Sequence, residues 1–154
     1  MSKEFFGGKA RRKVALGAKL DRSTATLPVS TQTALFNITG GRVMLTSIIG
    51  EVTTVIETQA CNLSLVSTPT TGTGVALCGV LDISADQVGC LYGITGTPAT
   101  ALVGANAGLA PIPTNWSVLP IGTLDWLTAA TNSGSVKWSV TYIPYDDGGE
   151  MSVA

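Results

Sequence analysis

Apolar and polar residues alternate with a period of two in several short stretches, the pattern of strands with one buried face. The clearest case lies late in the chain, where Val136, Trp138, Val140 and Tyr142 alternate with Ser135, Lys137, Ser139 and Thr141. Residues 123–129, a Thr131-Asn132-Ser133-Gly134 turn and residues 135–143 together predict a closing hairpin that Pro144 ends. Cys61, Leu63 and Leu65 face away from Asn62 and Ser64, and Val52, Thr54, Ile56 and Thr58 away from Glu51, Thr53, Val55 and Glu57. Further strands are expected over 33–39, 42–49 and 51–58 around Gly50, 75–83 with a bend at Gly79, 88–94, and 117–121. Residues 99–115, small and interrupted by Gly104, Gly108, Pro111 and Pro113, read as a loop or a short edge strand.

About eight short strands with turn signals every 8–12 residues predict an all-β chain: one antiparallel sandwich, jelly roll or barrel-like domain. The domain is expected over residues 31–145, after an extended arm over 1–30 and before a short acidic tail over 146–154. Gly7-Gly8 and Gly17 discourage a helix in the arm. At 154 residues the chain suits a single domain that builds its core without disulfides or metal.

Charge sharpens the picture of the arm. Residues 1–22 hold Lys3, Lys9, Arg11, Arg12, Lys13, Lys19 and Arg22 against Glu4 and Asp21, a formal +5. The remainder carries Arg42 and Lys137 against eight acids, a formal −6, and the two sum to the net −1. Only 12% of residues are charged and 45% are apolar, which argues against disorder and against long solvated helices. The candidate docking residues are therefore Phe5, Phe6, Lys9, Arg11, Arg12, Lys13, Lys19 and Arg22. Such a cluster suits an acidic protein surface, suits nucleic-acid phosphates, or merely solubilises a terminus.

Chemistry is sparse. There is no His, which removes the commonest general base and metal ligand, so no enzyme, metal or cofactor is expected. Asp82, Ser84 and Asp86 match the first positions of a calcium loop, but Gln87 replaces its glycine and Gly93 its final glutamate. Capping and turn roles are expected for the aspartates. Gly72-Thr73-Gly74 lacks the rest of a phosphate loop. Cys61, Cys78 and Cys90 read as buried thiols. Trp138 is expected in the core, and Trp116, near Pro113 and Pro120, is the tryptophan expected to reach a surface. No apolar run suits a leader or a membrane span, so a cytoplasmic origin is expected.

Several segments share a family pattern. Thr26-Leu27-Pro28, the run Ala34-Leu35-Phe36-Asn37-Ile38-Thr39-Gly40-Gly41 and Ile49-Gly50-Glu51-Val52-Thr53-Thr54 resemble small virion proteins of tailed bacteriophages. So does the late stretch from Gly122-Thr123-Leu124 through Gly134-Ser135-Val136-Lys137-Trp138 to Tyr142-Ile143-Pro144. The resemblance covers most of residues 26–148, through turn and strand signatures with no catalytic residues among them. It implies a structural protein on the exterior of a virion assembled in a bacterial cytoplasm. A capsid decoration (cement) protein fits best, bound by its arm to the major capsid protein and to itself, as a homotrimer. Tail and head–tail connector components are the alternatives within the particle. A nucleic-acid- or carbohydrate-binding β module is the alternative outside it.

Overall fold

The alternating stretches stack as two antiparallel sheets in the computed structural model, which describes residues 7–104 and 106–154. A helix, α1 (Gly8–Leu16), precedes β1 (Ala18–Asp21), β2 (Ala25–Thr26), β3 (Gln32–Thr39), β4 (Val43–Thr54), β5 (Asn62–Pro69) and β6 (Val75–Ala76). There follow β7 (Leu81–Asp82), β8 (Leu91–Gly93), β9 (Ser117–Leu119), β10 (Gly122–Thr128), β11 (Ser135–Pro144) and β12 (Glu150–Val153). The first sheet runs β1-β11-β4-β8, with β2 also on β11 and β9 also on β4. The second runs β12-β3-β10-β5-β6, with β7 also on β5. The architecture is a β-sandwich, and the sheets do not close into a barrel.

The core forms where the inward faces meet. Trp126 of β10 stands edge-on to Trp138 of β11, ring centroids 5.9 Å apart, and Tyr92 tilts against Trp138 at 6.4 Å. Trp138, Val136 and Val140 are buried as their alternation predicts. A bulge opposite Leu124/Asp125 breaks the period of β3, and Leu35 and Phe36 are both buried there although adjacent. A second bulge at Thr141/Tyr142 resets β4, so its buried apolar positions fall at Val43, Leu45, Ile48 and Val52.

Several expectations are corrected. The closing hairpin does not form: β10 belongs to the second sheet and β11 to the first. Residues 129–134 instead bridge the end of the sandwich, sewn to the β4–β5 connection. Glu57 N–H donates to Ser133 O at 3.0 Å, and Asn132 Nδ2 to Gln59 O at 2.5 Å. Strands 42–49 and 51–58 are one, β4, because Gly50 is no break: the Trp138 ring covers it, and a Cβ there would stand 2.8 Å from that ring. The 75–83 strand is two fragments, with Val75 and Val80 exposed. Of the 88–94 strand only 91–93 is regular, with Gly89 and Cys90 each bonded to Val52 beside it.

Both termini differ as well. The arm is not extended over 8–16, because Lys, Ala, Arg and Leu favour a helix and the flanking glycines serve as its ends. Nor is the rest of it separate from the domain: β1 and β2 pair with β11, and Leu27 is buried. The acidic tail contributes β12, which pairs with β3 and buries Met151.

Candidate docking surface

Helix α1 carries four of the predicted docking residues. Lys9, Arg12 and Lys13 share one face by their i, i+3 and i+4 spacing, whereas Arg11 lies on the other side of the helix. Lys9, Arg11 and Lys13 are exposed and Arg12 is half-buried. No residue of the helix is buried, and Val14 is 74% exposed. Nine residues form a helix too short to persist alone in water, so α1 depends on what it touches.

Its attachment is at the C-terminal end. Thr46 Oγ1 donates to Leu16 O at 2.5 Å and lies 2.7 Å from Thr141 Oγ1, which lies 2.5 Å from Ser47 Oγ. Each hydroxyl has one proton, so the chain runs in one direction, Ser47 to Thr141 to Thr46 to the Leu16 carbonyl. Gly17 ends the helix at φ +87°, its N–H bonded to Lys13 O at 3.0 Å. A Cβ at that position would lie 2.0 Å from Tyr142 O. Lys13 and Val14 overhang a cleft of about 430 Å³ whose floor is Tyr142, Ile143 and Pro144.

The other predicted docking residues are drawn elsewhere. Lys19 pairs with Asp21 at 2.7 Å. Arg22 is a structural tie: its N–H donates to Trp138 O in the first sheet and its Nε to Leu35 O in the second. Sequence gave no signal for that role. Phe5 and Phe6 lie outside the described residues. Both cations of the remaining chain have partners too. Arg42 grips Asp146 through two 2.8 Å bonds and lies 4.9 Å over the Tyr145 ring, and Lys137 faces Glu51 at 3.9 Å. The Arg42 guanidinium holds the Asp146 carboxyl down to about 2.

The remaining polar groups serve the fold. Asp82 Oδ1 accepts the Cys61 and Ser84 N–H groups, which lower its pKa, as its expected turn role requires. Asp86 is buried and accepts the Tyr92 hydroxyl at 2.6 Å; burial pushes its pKa up. Asp125 accepts Gln32 Nε2 at 2.5 Å and Thr68 Oγ1 at 2.8 Å, clamping β3, β10 and β5. The three thiols are buried with raised pKa values, which keeps them protonated and unreactive. Trp116 is 42% exposed, the surface tryptophan of the three, as expected. Among the described residues no group of acids or cysteines could hold a metal, and no helix is long and apolar enough to cross a membrane. No family model, no curated protein and no solved structure matches the chain.

Proposed function

We propose that the chain is a non-enzymatic structural protein of a tailed-phage particle, a capsid decoration protein seated on the major capsid protein through α1. The observation that carries the docking role is a basic helix none of whose residues is fully buried and which is anchored through its last residue. A segment so placed gains its missing contacts when a partner covers it, and its cations favour an acidic partner surface. The virion assignment rests on the strand and turn signatures of residues 26–148.

Quantifying the protein against the shell subunit in purified particles tests the placement. Hundreds of copies support decoration, tens or fewer favour a tail or connector position, and absence from particles overturns the reading. Rebinding tests the helix. A variant with Lys9, Arg12 and Lys13 changed to Glu should lose shell binding while keeping its fold, and wild-type binding should weaken with salt. Salt-insensitive binding by that variant removes α1 from the interface. Binding of duplex DNA in place of shells would favour a nucleic-acid role for the same cations.

A further inference from the structure

Between Thr58 and Leu124 the sequence holds just two charged residues, Asp82 and Asp86. Asp86 is buried; Asp82, on β7, is exposed, its Oδ1 accepting the Cys61 and Ser84 amides. The fold gathers most of this segment on one flank. β6 and β7 extend the β5 edge of the second sheet, while β8 and β9 extend the β4 edge of the first. The intervening chain lies against them: Gly79 bridges Ala101, Gly93 bridges Val103, and Thr114 N–H donates to Thr95 O at 3.2 Å.

The flank is apolar and carries no cation, and Asp82 is its exposed acid. Val80, Val103, Leu109, Ile112, Trp116 and Val118 are between 39% and 73% exposed. An open groove of about 280 Å³ separates β6 from β9, lined by Val75, Leu77, Pro98, Val118 and Pro120 among others. Runs of exposed apolar side chains mark interaction surfaces, and interface centres are depleted of charge and enriched in aromatics.

We propose that this flank is the surface through which copies of the chain associate with one another. Charge selects the occupant. In a self-pairing interface each charged group confronts its own copy or a close neighbour, so a surface whose only charge is the amide-bonded Asp82 carboxylate on β7 meets itself at little penalty. An acidic shell or a polyanion would be met by cations, and the flank has none. Position agrees: β8 and β9 lie at one edge of the first sheet and β1, which follows α1, at the other. The inference does not depend on what α1 binds.

Sedimentation of the full chain over about 1–100 µM tests it. Wild type is expected to pass from monomer to a defined oligomer. Trp126 and Trp138 are buried, so acrylamide quenching of tryptophan emission reads Trp116, and quenching should fall as the oligomer forms. Leu109→Lys and Trp116→Lys should each weaken association about tenfold or more. Val14→Lys on α1 and Val153→Lys on β12 should leave it unchanged, and circular dichroism checks that every variant stays folded. A wild-type monomer at all concentrations overturns the proposal. So does unimpaired association of folded flank variants, or equal weakening by the two controls. No shell is present, so failure here is distinct from failure of the docking role.

Discussion

Trp138 rests on the bare backbone of Gly50, and the two residues define each other. Truncating Trp138 to Ala opens a cavity at the centre of the core and should cost about 3–5 kcal/mol, whereas Lys137→Ala on the outer face should cost no more than about 0.5 kcal/mol. Gly50→Ala should also destabilise, by roughly 1–3 kcal/mol, because the added methyl meets the ring at 2.8 Å. Denaturant midpoints of the three variants decide. Asp86 is the residue whose acidity works against the fold. Its folded pKa lies above the unfolded value of about 3.9, so the native state binds the proton more tightly. Stability therefore falls as pH rises from that value through the raised one. Asp86→Asn keeps an acceptor for Tyr92 and should be more stable than wild type at neutral pH, with the advantage vanishing below pH ~4. Equal melting temperatures at both pH values would remove that role.

At the scale of elements, α1 is the least secured. Its amides should exchange with solvent orders of magnitude faster than those of β11, which is paired on both sides. Thr46→Val should loosen the helix further by removing the donor to Leu16, and hydrogen exchange over residues 8–16 checks both statements. The sequence pattern told which residues of β11 face inward, and Val136, Trp138 and Val140 do. It did not tell which strand lies beside them. Alternation encodes a face, and β10 and β11 each turn an apolar face to the same core, from opposite sheets. The turn residues 131–134 serve an arch over the sandwich end as readily as a hairpin. Bulges in β3 and β4 were equally hidden, since each shifts the period after one added residue. The basic residues of α1 were legible as a cluster, but their helix was not, because Gly7, Gly8 and Gly17 outweighed the favourable run over residues 9–16 between them. The charge-poor flank is visible in the sequence as the stretch between Glu57 and Asp125, broken by Asp82 and Asp86 alone and meaningful only once folded to one side.

The molecule as a whole divides its surface by charge. Cations stand on α1, tied to β4 through Thr46, and the flank beyond β8 and β9 carries none that could repel a neighbour. Acid should act on the chain through Asp146 and Asp82, both held below the ordinary carboxylate range. The unfolded state binds these protons more readily, so their stabilising effect is complete above pH ~4 and is lost as pH falls toward 2. Asp146→Asn should flatten the thermal melting profile across that window, and an unchanged slope would mean the Arg42 pair contributes nothing. The arches have a consequence for biosynthesis. β11 is the interior strand between β1, β2 and β4, yet it is made after all of them, more than a hundred residues beyond β1. The first sheet lacks the strand that joins β1 and β2 to β4 until residue 144 has emerged. At about 5–20 residues per second, one edge of β4 and the N-terminal strands wait several seconds without their β11 partner. A nascent chain stopped before β11 should therefore be open to proteases and to chaperones, and a finished chain should fold all at once.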